Sequence, residues 1–215
     1  MSASFQSKKT GSRGFSLIEV MVATAVLTIG LVSVAALATT MLATGKRSKY
    51  MSLASTLASE KLEDLSRYPS DVPQVCVPTG STSVGSITSG SNIMQTTTCP
   101  SPSTASGSVA YYDDVDISFG TGGGDCPSQG GCFSETVSSV ANNTTQYSTI
   151  YHSPDGRITG VISTSQPTQT MTFHRQWLIE ANTPVTGVRR ITVYVTLTNN
   201  TVKPPVTFQM SAVRP

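Results

Sequence analysis

Between Phe15 and Ala43 the chain carries a single charge, Glu19, and Val20 to Ala43 supply 24 consecutive uncharged positions. A membrane-spanning helix needs about 20, and helices buried in globular domains rarely stay apolar on every face for so long. The run therefore predicts a transmembrane helix near the N-terminus. A secretory signal peptide fits less well, because its apolar part spans only about 7–15 residues before a small-residue cleavage site.

Lys8, Lys9 and Arg13 flank the run on one side, and Lys46, Arg47 and Lys49 on the other. The positive-inside rule compares such flanks. Here they tie, so charge alone does not set the orientation. Removing the three leading cations from the total of 14 leaves 11 against 12 acidic side chains. The remainder is near neutral and lacks the basic field of a nucleic-acid binder.

A carboxylate inside a bilayer costs about 2.5–3.5 kcal/mol at mid-membrane and less near an end. Glu19 stands four residues into the run, where it can reach toward the interface. The alternative is that it gains a cationic partner among neighbouring helices. The surrounding residues, "KKTGSRGFSLIEVMVA", resemble the N-terminal processing signal of type IV prepilins and pseudopilins. That signal is a short basic leader, a glycine (Gly14), an aromatic or apolar residue (Phe15) and a glutamate at the fifth position after the glycine (Glu19).

The resemblance implies cleavage between Gly14 and Phe15 by a prepilin peptidase on the cytoplasmic side, and N-methylation of the new Phe15 amine by the same enzyme. It places the leader in the cytoplasm and the bulk of the chain outside the inner membrane. It also implies that Glu19 meets the Phe15 amine of an adjacent subunit. Two opposite charges about 4 Å apart attract by about 4 kcal/mol at an effective dielectric near 20, before desolvation is subtracted.

The implied fold is α+β, a long N-terminal helix packed on a β-rich antiparallel head. Residues 1–14 are then the leader, 15–44 the membrane and fibre-core helix, 45–68 its amphipathic second half and 69–215 the head. Major pilins usually carry a helix-bending proline near the position of Ala36, but no proline precedes Pro69 here. Gly30 in "LTIGLVSVAAL", and then "LASEKLEDLSRYP", resemble minor pilins of the PilV type. The function so implied is a minor type IV pilin, assembled into a pilus or priming its assembly. Its partners would be the prepilin peptidase, other major and minor pilins through the N-terminal helix, the inner membrane and a pilus assembly platform. A minor pseudopilin of a type II secretion system shares the same N-terminal logic. A membrane-tethered binding module or hydrolase that never polymerises is the alternative from another class. No motif names a DNA or surface ligand for the head, and no cofactor is expected.

Past the membrane run, Met51, Ala54, Ala58, Leu62 and Leu65 recur at spacings of three and four, which places them on one face of a helix. Lys46, Arg47, Lys49, Glu60, Glu63 and Asp64 fall on other faces, and Glu63 and Arg67 form an i,i+4 pair. Tyr68 precedes Pro69 and is biased out of helical geometry, so the helix should end at Arg67. A helix from Phe15 to Arg67 is about 80 Å long at 1.5 Å per residue.

Pro69 to Gly107 is rich in Ser, Thr, Gly and Pro, a linker composition. Cys76 and Cys99 bracket it, which suggests a stapled loop. Strand-like runs follow in "SVAYYDDVDISF", "QYSTIYH", "RITGVIS", "TMTFHRQWLIEA", "VRRITVYVTL" and "PVTFQMSAV", separated by turn signals. Ile191, Val193, Val195 and Leu197 alternate with Arg190, Thr192, Tyr194 and Thr196, so one face should be buried on the helix. The series "FHRQWLIEANTPVTGVRRITVYVTLTN", an aromatic-rich strand leading through a short turn into the next, also resembles the C-terminal sheet of PilV-type proteins.

Cys76, Cys99, Cys126 and Cys132 lack tight Cys-x-x-Cys spacing, and only two histidines accompany them, which disfavours zinc. An exported head favours disulfides. Neighbour pairing, Cys76–Cys99 and Cys126–Cys132, is the preferred one of three connectivities because "DCPSQGGC" reads as a short closable loop. Asp113, Asp114, Asp116 and Asp125 have no calcium-loop spacing and are expected on a solvated strand edge. His152 and His174 stand apart, with no nucleophile motif around them.

Overall fold

Residues 16–119, 133–141, 144–152, 158–164, 171–198 and 204–215 are described in the computed structural model of the chain. They comprise α1 (Leu17–Arg67), β1 (Ser83–Gly85), β2 (Met94–Thr98), β3 (Ser106–Ala110), β4 (Tyr112–Phe119), β5 (Phe133–Ala141), β6 (Thr144–His152), β7 (Ile158–Ser163), β8 (Met171–Ala181), β9 (Arg189–Leu197) and β10 (Thr207–Arg214). The architecture is α+β, a long N-terminal helix followed by an antiparallel head, as in type IV pilins. Two compact units divide the chain, Met1–Lys46 and Arg47–Pro215.

In the first unit α1 exposes all its large apolar side chains, from Leu17 at 78% to Leu42 at 69%. The helix is long and apolar enough to cross a membrane. Its hydroxyls are consistent with that. Thr24, Thr28, Ser33, Thr39, Thr40 and Thr44 each donate to a carbonyl three or four residues earlier. No hydroxyl among them is left for lipid to solvate, which is the condition for polar groups in a hydrocarbon layer.

In the second unit the last part of α1 lies on one face of the sheet. Ala54, Leu57, Ala58 and Leu65 are buried with Val115, Ile117, Phe173, Trp177, Ile179, Ile191, Val193, Val195 and Leu197 in one core. The expected stripe is present, with Met51 and Leu62 packed at its rim. Leu57 joins it as well, one residue from Ala58. Arg67 ends the helix, as the Tyr68–Pro69 pair requires.

The main sheet runs β10-β9-β8-β4-β5-β6-β7, with every pairing antiparallel. One edge of β8 is shared end to end. β4 pairs with Met171–Gln176, and β1 pairs with Leu178–Glu180. Between them the Trp177 backbone N–H donates to the Tyr111 carbonyl at 3.1 Å. Gly85 sits at this junction with φ +81°, and a Cβ there would collide with the Trp177 carbonyl and with the Tyr111 ring. Only glycine fits.

Three sequence expectations change. The run 108–119 is not one strand: Tyr111 breaks it, turning into the core at 1% exposure, where its hydroxyl meets Thr97 Oγ1 at 2.9 Å. The Ser/Thr-rich stretch after Pro69 is more than a stapled loop, since it holds β1, β2 and the start of a β2–β3 hairpin. Threonine-rich segments pair well on pleated surfaces even when their composition resembles a linker. β5, "FSETVSSVA", is a further strand whose serines masked its alternation.

Candidate functional site

The N-terminal candidate is Glu19. Gly14 and Phe15 lie outside the described residues. Glu19 occupies the first turn of α1, and its N–H donates to the Ser16 carbonyl at 3.0 Å. An acidic side chain in a first turn is favoured by the helix dipole by about 0.3–1 kcal/mol. That local gain is smaller than the cost of a carboxylate deep in a bilayer. α1 continues without interruption past Gly30 and Ala36.

Cys76 and Cys99 form a disulfide across 23 residues. By chain entropy, closing such a loop stabilises by about 3 kcal/mol. It ties the chain just after α1 to the end of the β2–β3 hairpin region, where Cys99 N–H donates to the Ala105 carbonyl at 2.7 Å. Cys126, Cys132 and Asp125 lie outside the described residues.

The aspartates of β4 are not on a solvated edge. β4 lies inside the sheet, between β8 and β5, and Asp113 and Asp116 are 5% and 4% exposed. Strand alternation sends Asp113 to the helix side and Asp114 and Asp116 to the other. Each is engaged differently: Asp113 by Arg175 at 2.6 and 3.0 Å, Asp114 by His174 Nδ1 at 2.6 Å, Asp116 by the Thr172 hydroxyl at 2.5 Å. They do not converge on one ion.

Asp113 instead centres a buried charge cluster that joins helix to sheet. Lys61 reaches it at 3.2 Å from α1 and lies 4.2 Å from the Trp177 ring centroid. Arg175 also donates to the Leu57 carbonyl at 3.5 Å. Burial pushes the Asp113 carboxyl up, but Arg175 and Lys61 outweigh it and hold the group below the ordinary range. Burial likewise opposes the Arg175 charge, and Asp113 more than restores it.

On the far side of Arg175, Glu60 and Glu135 line a cleft with Leu57, Ile117 and Met210. Burial, and then the nearby Glu60 charge, push Glu135 up to about 7. His174 is raised above its usual value, chiefly by the Asp114 bond against partial burial. The Asp114–His174 pair resembles the base-orienting half of a triad, but no serine hydroxyl or cysteine thiol meets its Nε2 among the described residues.

Lys61 and Arg175 were not singled out from the sequence, and Asp113 was expected on a solvated edge. The signal was available. Lys61 interrupts the apolar stripe between Ala58 and Leu65, and Arg175 interrupts the inward series Phe173, Trp177, Ile179. A charge in a buried register calls for a buried counter-charge.

Residues 9–35 match the family described as the prokaryotic N-terminal methylation motif. The matched segment holds Gly14, Phe15, Glu19 and the start of the apolar helix, and it supports a type IV prepilin-like protein. The rest of the chain lies beyond that match. Comparison with curated proteins and with solved structures finds no match.

Proposed function

We propose that the chain is a minor type IV pilin of the PilV type, an assembly subunit with no reaction of its own. The single observation carrying this reading is the methylation-motif match over residues 9–35, with Glu19 in the first turn of a bare apolar helix. In this reading the prepilin peptidase cuts between Gly14 and Phe15 and methylates the Phe15 amine. Residues 15–44 anchor the subunit in the inner membrane, 45–68 carry the helix onto the head, and 69–215 form the head outside the cytoplasm. Extraction into a fibre then matches each Glu19 with the Phe15 amine of a neighbouring pilin. An unmatched carboxylate in the fibre core would oppose assembly. The uninterrupted course of α1 past Ala36 supports a minor over a major subunit.

Mass spectrometry of sheared fibres and membranes tests the processing step. The expected N-terminal residue is N-methylated Phe15, and an intact Met1 beside an active prepilin peptidase overturns the assignment. Glu19→Ala should be inserted and cleaved yet absent from fibres, and normal incorporation overturns the charge-pairing role. A deletion strain that loses protein secretion while keeping its pili reassigns the chain to the pseudopilins.

A further inference from the structure

Both outer edges of the main sheet stay open among the described residues: β10 pairs only with β9, and β7 only with β6. Neither strand contains a proline or a lysine, residues that ordinarily blunt an edge. The one charge in β10, Arg214, is taken up by the Ser66 and Tyr68 carbonyls. Each edge also bears a bare apolar side chain, Val213 at 56% exposure and Ile162 at 76%.

The ladder identifies the unused backbone groups. Leu197 N–H donates to the Val206 carbonyl directly opposite it, at 3.0 Å. In an antiparallel pair, successive residues alternate between facing the partner strand and facing away. Phe208, Met210 and Ala212 therefore turn their backbone groups toward Val195, Val193 and Ile191. Thr207, Gln209, Ser211 and Val213 turn theirs outward. β10 thus presents a row of backbone donors and acceptors to an added strand.

Strand direction selects the occupant. The path β10-β9-β8-β4-β5-β6-β7 makes an even number of antiparallel steps, so its two edges run in the same sense. β10 also runs with the helix beside it, since Met210 shares a cleft with Leu53 while Arg214 reaches Ser66. A twofold dimer through β10 pairs the strand antiparallel to itself and points the two helices in opposite senses. Copies anchored through α1 in one membrane cannot meet that way. Joining β10 of one copy to β7 of the next is a parallel pairing. It keeps every helix in one sense and on one face of the extended sheet.

We propose that the occupant of the β10 edge is the β7 edge of a second copy of this chain, paired in parallel so that the sheet continues from head to head. Ile162 lies on the helix side of the sheet, as do Phe208, Met210 and Ala212, and the contact covers it against them. Val213 is covered on the opposite face by the arriving strand. Because the two edges differ, the contact repeats instead of closing, which suits a subunit that joins a row of others. The choice of β7 over a second β10 rests on the membrane anchoring proposed above.

Two differently tagged forms of the full-length chain are expressed in the same cells, one of them carrying Ile162→p-benzoylphenylalanine as a photo-crosslinker. Illumination of the membrane fraction should join the two tags, with the link mapped by mass spectrometry to Thr207–Arg214 of the second copy. Gln209→Pro in the receiving copy removes an outward N–H and spares the β9 ladder, so the head should stay folded while the link falls about tenfold. Val213→Lys, at an exposed position, puts a charge on the same edge and should lower the link about threefold. A link from Ile162 to β7 of the second copy, a link only to another protein, no link between the tags, or links unchanged in both variants overturns the proposal. The N-terminus is read on the same samples. A chain processed at Phe15 that shows no link loses this contact and keeps the pilin reading, whereas a link in a chain still bearing Met1 keeps the contact and loses that reading.

Discussion

From Leu17 to Leu42, α1 leaves all its large apolar side chains exposed, whereas from Ala54 to Leu65 the same helix buries Ala54, Leu57, Ala58 and Leu65 against strands. Polar groups follow the same division. In the first stretch hydroxyls fold back onto the helix's own carbonyls, and the one charge stands in the first turn. In the second, charges are carried inward and matched across elements, Lys61 and Arg175 on Asp113. One backbone geometry thus serves two surroundings. A group that must meet lipid is satisfied locally, while a group that meets a protein core can be satisfied from a distant part of the chain.

Asp113→Ala is the strongest way to break the second arrangement. It leaves Lys61 and Arg175 without their buried counter-charge, and should cost about 3–5 kcal/mol. Thermal unfolding of the detergent-solubilised chain should show a midpoint lower by about 10 °C or more. Val32→Lys attacks the first arrangement instead. It should cost about 2.5–3.5 kcal/mol of membrane insertion, seen as loss from the membrane fraction, while head unfolding stays at the wild-type midpoint. Gly85→Ala should lower the unfolding free energy by about 1–3 kcal/mol through backbone strain where β1 meets Trp177, leaving insertion unchanged.

The smallest effect is a slope with pH, and it belongs to the head alone. Glu135 titrates at about 7 in the folded protein, because burial and then Glu60 oppose its charge, against about 4.3 for an unfolded glutamate. The folded state therefore binds the extra proton between these values. Stability is full below the lower one, declines as pH rises through about 7 and then levels. His174, also raised, adds to the decline. Asp113 acts oppositely: its carboxyl is lowered, so its contribution is present above the unfolded value and is lost as acid protonates it. Glu135→Gln should flatten the decline between roughly pH 5 and 8 by about 1 kcal/mol, less than the whole shift implies because the adjacent Glu60 carboxylate shares the titration. Denaturant titrations at several pH values measure it.

Local patterns made much of this legible. The length of the uncharged run, the three-and-four stripe after it, and the Tyr68–Pro69 stop each depend on residues close in sequence. The alternation of Ile191, Val193, Val195 and Leu197 carried the buried face of β9 in the same way. The Asp113 cluster did not announce itself, because its members lie far apart in the chain and meet only through the β4–β8 register and the helix above it. β1 and β2 escaped for a related reason. Short Ser/Thr-rich strands owe their pairing to the edge that receives them more than to their own pattern. Glu19 was conspicuous from the start, since a lone charge in an apolar run stands out without any tertiary context.

The last strand ends on Arg214, whose guanidinium holds the Ser66 and Tyr68 carbonyls where α1 finishes. β10 is thereby buckled to the end of α1. Tension carried along the helix would reach the final strand of the sheet directly, without first passing through the Ser/Thr-rich segment between them.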